Sequence, residues 1–171
     1  MKRLPLLLAA LLLAGGGMVR AAGRVDGLQI VPVDGPGVKR LVAAARGRVI
    51  LVNFWATWCA PCKEEFPDLL RLRKELSAGG LEVILVSIDD QRDTAAQVQS
   101  FLRGSGVEFP VYIKRKGHDE EFINTIDPRW SGALPATFIY DRNGRMVQSL
   151  VDRQTYDGML RRLKPLLSQK P

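Results

Sequence analysis

Val49-Ile50-Leu51-Val52-Asn53-Phe54-Trp55 runs directly into Ala56-Thr57-Trp58-Cys59-Ala60-Pro61-Cys62. The first seven residues are apolar apart from Asn53, and they are rich in β-branched and aromatic types. That continuous character predicts a strand buried on both faces. A helical pattern follows from about Ala60, with Phe66, Leu69, Leu70, Arg73 and Leu76 on one face. Pro67 interrupts it and is expected to kink it. Gly79-Gly80 stops it. The junction of strand and helix carries the spacing C-x-x-C, and Cys59 and Cys62 are the only cysteines in the chain.

Outward from this junction the pattern repeats. Leu81 to Ile88 reads as a second buried strand. Asp93-Thr94 begins another helix, with Thr94 and Gln97 spaced as a capping box. Phe109 to Ile113 is a short strand, and His118 to Ile126 is helical. Upstream, Leu28 to Val31 is a short strand and Val38 to Arg46 a short helix. The last third changes period. Ala136 to Tyr140 and Arg145 to Val151 flank Asp141-Arg142-Asn143-Gly144, a hairpin signal. Thr155 to Leu167 forms a C-terminal helix. Alternating strands and helices give a parallel portion, and the hairpin adds antiparallel strands. The class is α/β, with a central mixed sheet flanked by helices on both faces.

The 171 residues suit one domain, and 46% apolar with 25% charged residues is a globular composition. Residues 1–21 stand apart from it. Lys2 and Arg3 precede the apolar stretch Leu4 to Gly17, and Val19-Arg20-Ala21 offers small residues for a cut after Ala21. This is the layout of a secretory signal peptide, leaving 22–171 as a single domain. The alternative is an uncleaved N-terminal anchor, although the run is short against the roughly 20 residues of a span. No cysteine lies near the cut, which excludes a lipoprotein anchor. Without Lys2, Arg3 and Arg20 the formal charge of +7 falls to +4. The remaining basic runs lack interleaved aromatics, so no nucleic-acid partner is expected.

Export places the cysteines where disulfides persist. A thiolate is the reactive form, and a free cysteine has a pKa of about 8.5. At a helix start the unpaired N–H groups and the dipole favour negative charge. Cys59 is therefore the exposed attacking thiol. Cys62, one turn in, is the shielded resolving thiol, in reach of the first. Pro61 fits the first turn, where its missing N–H costs nothing. A purely structural staple is the weaker alternative, because a four-residue loop contributes only about 2 kcal/mol against about 3 for fifteen residues. A zinc site wants four ligands, and two cysteines with the single histidine His118 do not supply them.

Val52 to Pro67 resembles the active-site segment of the thioredoxin superfamily, and most nearly its TlpA/ResA/CcmG-like branch of exported thiol-disulfide oxidoreductases. A second motif, Gly132-Ala133-Leu134-Pro135-Ala136-Thr137-Phe138-Ile139-Tyr140-Asp141, adds to the likeness, which runs from about Gly47 to Val151. The resemblance implies a thioredoxin-like fold with Pro135 as a cis-proline facing the dithiol and Leu134 offering its backbone to a substrate chain. Trp58, Pro61, Leu134 and Pro135 would contact substrate. Glu65 matches the acid of the pattern C-x-x-C-x-x-E-x-P, placed to exchange a proton with the resolving thiol. Asn53 stands where cytoplasmic thioredoxins carry a buried acid, which raises the weight on Glu65. Trp55 is either core or rim. The charged segment Lys114 to Arg129 is a departure from the family pattern, and His118 within it reads as an exposed helix-start residue.

The expected function is disulfide reduction in exported proteins, in the periplasm or an equivalent extracytoplasmic space. The branch implies apocytochrome c or other exported cysteines as substrates and a membrane electron donor. A monomer is expected, with no metal and no cofactor beyond the Cys59–Cys62 pair. Two alternatives share the fold. A thiol peroxidase wants Thr-x-x-Cys, whereas Thr57 stands two residues before Cys59. A copper-delivery protein wants C-x-x-x-C and a distant histidine.

Overall fold

A computed structural model describes residues 27–89 and 91–169. The signal-peptide reading of residues 1–21 lies outside them. The chain runs β1 (Ile30–Val33), α1 (Gly35–Ala44), β2 (Val49–Trp55), α2 (Ala60–Leu76), β3 (Leu81–Ser87) and α3 (Gln91–Gly104). It continues with β4 (Val111–Lys114), α4 (Asp119–Ile126), β5 (Ala136–Tyr140), β6 (Met146–Val151) and α5 (Tyr156–Leu167).

The strands form one sheet in the order β1-β4-β3-β2-β5-β6. β2 lies inside it, and all seven of its residues are buried. It pairs parallel with β3 from Val49↔Leu81 to Trp55↔Ser87, and antiparallel with β5 from Ile50↔Tyr140 to Phe54↔Ala136. Alternation along β2 feeds two cores. Val49, Leu51 and Trp55 pack with Phe66, Leu69 and Leu72 of α2, Val98 and Leu102 of α3, and Met159 and Leu163 of α5. Ile50, Val52 and Phe54 pack on the opposite face with Val38 and Val42 of α1, Phe122 and Ile126 of α4, and Trp130. This is the mixed, doubly covered sheet expected from the sequence.

Several boundaries differ from expectation for local reasons. α1 begins at Gly35, ahead of Val38, because Asp34 caps it: Gly37 N–H donates to Asp34 Oδ1 at 2.7 Å. α3 starts at Gln91 and not at Asp93. α2 runs as one helix through Pro67, whose ring is on the exposed side. Its buried face is Cys62, Glu65, Phe66, Leu69 and Leu72. The expected face was rotated, because Leu70, Arg73 and Leu76 flank the contact instead of centring it.

Candidate active site

The dithiol sits at the end of β2. Ala56 to Trp58 turn the chain, and Cys59 caps α2 in an extended conformation (φ −86°, ψ 100°). Lys63 N–H donates to Cys59 O at 3.2 Å, which closes the first helical turn. Cys62 N–H points at Cys59 Sγ at 3.2 Å. Cys59 and Cys62 form a disulfide with Cα atoms 5.3 Å apart. Cys59 keeps 5% of its surface and Cys62 1%. Cys59 is thus the more accessible residue of the two, but in the disulfide form it is covered and not openly exposed. Pro61 lies in the first turn and faces solvent.

The β2–β5 register puts Ala136 beside Phe54, so Pro135 lies level with the end of β2 from which the dithiol loop departs. The Leu134–Pro135 peptide bond is cis. Pro135 is buried and Leu134 half-buried. The two tryptophans divide. Trp55 is fully buried between the rings of Phe66 and Phe101, with centroids 5.1 and 5.2 Å away, whereas Trp58 is 66% exposed beside Cys59. Trp55 therefore belongs to the core and Trp58 to the rim.

Glu65 lies three residues beyond Cys62 on the same buried face of α2, and it is 0% exposed. Asn53 Nδ2 donates to its Oε1 at 3.0 Å and to Thr137 Oγ1 at 2.9 Å, and Thr137 Oγ1 lies 3.4 Å from the same Oε1. The main-chain N–H of Gln154 donates to Oε2 at 2.8 Å. Burial outweighs these contacts and pushes the carboxyl up to about 7; the Gln154 N–H, Thr137 and the Arg153 charge pull the other way. Asn53 Oδ1 and Trp55 Nε1, on the same face of β2, are buried without a hydrogen-bond partner among the described residues.

Sequence reasoning missed Asp89. Its carboxylate, 1% exposed, accepts from Thr57 N–H at 2.9 Å, Thr57 Oγ1 at 2.5 Å and Ser87 Oγ at 2.7 Å. It fixes the turn that presents Trp58 and Cys59. The signal was an acid closing the strand next to β2, at the end where the dithiol sits. Gln154 was also missed, and it acts through its backbone. His118 is exposed at the start of α4 and makes no capping bond with its side chain. Among the described residues no group of three or more His, Cys, Asp or Glu is placed to hold a metal ion.

Known proteins resemble this chain in sequence and fold. A family model described as the AhpC/TSA family matches residues 32–149. The thiol-disulfide oxidoreductase ResA of Bacillus thuringiensis (strain Al Hakam) is 30% identical over 138 residues, covering 79% of this chain and 75% of that protein. ResA of Bacillus subtilis (strain 168) is 28% identical over 130 residues, covering 76% and 68%. The crystal structure of a thioredoxin-family thiol:disulfide interchange protein from Chlorobium tepidum TLS superposes with a TM-score of 0.62 at 25% identity, covering 74% of this chain and 84% of that one. With its C-x-x-C disulfide capping α2, the chain belongs to the AhpC/TSA family as a thioredoxin-like thiol-disulfide oxidoreductase.

Proposed function

We propose that the protein is a disulfide reductase working outside the cytoplasm, passing electrons from a membrane donor to cysteine pairs of exported polypeptides, apocytochromes c among them. The observation that carries this reading is a C-x-x-C disulfide at a helix N-terminus with a buried carboxyl group one turn further on the same face. In the reduced protein the Cys59 thiolate attacks a substrate disulfide, forming one S–S bond and breaking another. Cys62 then gives its proton to the Glu65 carboxylate, and its thiolate attacks Cys59 Sγ. The Cys59–Cys62 disulfide forms and the second substrate thiolate leaves. Trp58, Pro61, Leu134 and Pro135 seat the substrate chain.

The reaction needs no cofactor beyond the cysteine pair, and one monomer holds every group it uses. Export rests on the leader pattern of residues 1–21. No helix among the described residues is long and apolar enough to cross a membrane. The peroxidase alternative loses its hydroxyl, because Thr57 Oγ1 bonds to Asp89.

The test is insulin reduction by the dithiol form, with its reduction potential. Activity is expected to vanish in Cys59→Ser, and the wild-type cysteine pair is expected to have a potential of about −270 mV. Activity persisting in that variant removes the mechanism, and a potential near about −120 mV reverses the direction.

A further inference from the structure

The stretch from Asp152 to Tyr156, which joins β6 to the first residue of α5, makes four contacts with Pro135 and α2. Asp152 N–H donates to Pro135 O at 3.0 Å. Arg153 pairs with Glu64 at 2.8 Å. Gln154 N–H donates to Glu65 Oε2 at 2.8 Å, and Tyr156 N–H donates to Asp68 Oδ2 at 2.9 Å. Three carboxylates of one face of α2 are thus each met by the same stretch of chain. The loop itself borders solvent, while Glu65 beneath it does not. The Gln154 side chain folds back on its own loop, with Nε2 donating to Asp152 O at 2.9 Å, so its contact with Glu65 is purely main-chain.

We propose that Gln154 is a positioning residue for Glu65, its main-chain N–H orienting that carboxylate and favouring its charged form, and that the Asp152–Tyr156 stretch ties this contact to the Leu134–Pro135 wall. The proposal rests on the reading of Glu65 as proton acceptor. Of the charged groups around Glu65, Arg153 of the loop favours its charge and Asp68 of α2 opposes it. Glu64 is paired with Arg153. β2 and β5 present neutral Asn53 and Thr137, and the Tyr156 hydroxyl of α5 is bonded to Glu75. Arg153 and Gln154 ride on one loop, and its first residue bonds to Pro135 O. Movement of the wall when a substrate strand docks is passed through Asp152 to both. Glu65 then loses the Gln154 N–H and the nearby Arg153 charge, two of the groups that favour its charged form, and becomes a stronger base, at the step where Cys62 must give up a proton.

Carbon-13 NMR titration of the glutamate carboxyls in the disulfide form tests this. The wild type is expected to show a resonance titrating near neutral pH that is absent in Glu65→Gln. If no such resonance exists, the reading of Glu65 fails and takes the proposal with it. In Gln154→Pro, which removes the N–H donor together with the side-chain bond to Asp152 O that Gln154→Ala also removes, the proton affinity of Glu65 is expected to rise about tenfold or more. In Gln154→Ala, which keeps the donor, the midpoint stays. An unmoved midpoint in Gln154→Pro overturns the proposal and leaves the Glu65 reading standing. Should that variant not fold, the Gln154 amide shift in the wild type must titrate with Glu65, and a flat amide overturns the assignment. In Cys62→Ser carrying a cysteine peptide on Cys59, the Glu65 midpoint is expected above that of the peptide-free variant. Equal midpoints overturn the link to the wall.

Discussion

Glu65 carries a cost that pH exposes. Burial raises its carboxyl from 4.5 to about 7, so the folded protein binds this proton more tightly than the unfolded chain does. The contribution to stability is whole below about pH 4.5 and is lost as pH rises through about 7, a difference of about 3 kcal/mol. Urea unfolding of the oxidised protein at pH 5 and pH 8 should show this loss, and Glu65→Gln should lack most of it. Equal slopes in the two proteins would remove the assignment. Asn53→Asp is expected to act in the opposite sense to Glu65→Gln. It sets a second carboxylate about one hydrogen bond from the first, where Nδ2 now lies 3.0 Å from Oε1. Its stability should fall more steeply than that of the wild type above pH 7. Glu65 and Asn53 were legible through the family resemblance, Glu65 by the acid of C-x-x-C-x-x-E-x-P and Asn53 by its place where cytoplasmic thioredoxins carry a buried acid. Asp89 and Gln154 were not. A lone acid after a strand looks like any turn residue, and a backbone N–H leaves no mark in the sequence.

At the scale of elements, α2 joins the chemistry to the fold. Its first turn aims the Cys62 N–H at Cys59 Sγ, and the dipole adds to it. In the reduced protein the Cys59 thiol should therefore titrate below the ordinary value of about 8.5. The pH dependence of iodoacetamide alkylation, measured in Cys62→Ser, reads that value, and an ordinary thiol there would contradict the helix-terminus account. β2, β3 and the β5–β6 hairpin were legible because their signals are local: continuous apolar runs and an Asn-Gly turn. Helix ends were less so. α1 begins where Asp34 caps it and α2 continues through Pro67, because the packed face of Phe66, Leu69 and Leu72 holds the helix on both sides of the proline. Burial of Glu65 shifted that face by one position. A reading from apolar spacing alone misses this, since it treats every charged residue as solvent-facing.

Across the whole molecule, the structure gives the charged segment from Lys114 to Arg129 a task. It carries α4 across the face of the sheet opposite the dithiol helix, where Phe122 and Ile126 join the second core. The chain then delivers Trp130, 4% exposed, onto Phe54 and Phe138 with ring centroids at 4.8 and 5.5 Å. Trp130 Nε1 donates to Ala133 O at 3.0 Å, one residue before Leu134. Between them Gly132 takes φ 86°, and a Cβ there would meet Ile123 Cδ1 at 2.7 Å, so the turn needs glycine. The far core thus sets the approach to Leu134–Pro135. Trp130→Ala should cost about 3–5 kcal/mol by emptying an aromatic site. Trp130→Phe separates the two roles, because it keeps most of the packing and removes the N–H donor. Its stability should fall by about 1 kcal/mol through the lost hydrogen bond. Its rate of disulfide exchange with protein substrates should fall further than its rate with a small disulfide that needs no wall. Equal losses on both substrates would mean that Trp130 supports the fold alone and does not place Leu134–Pro135.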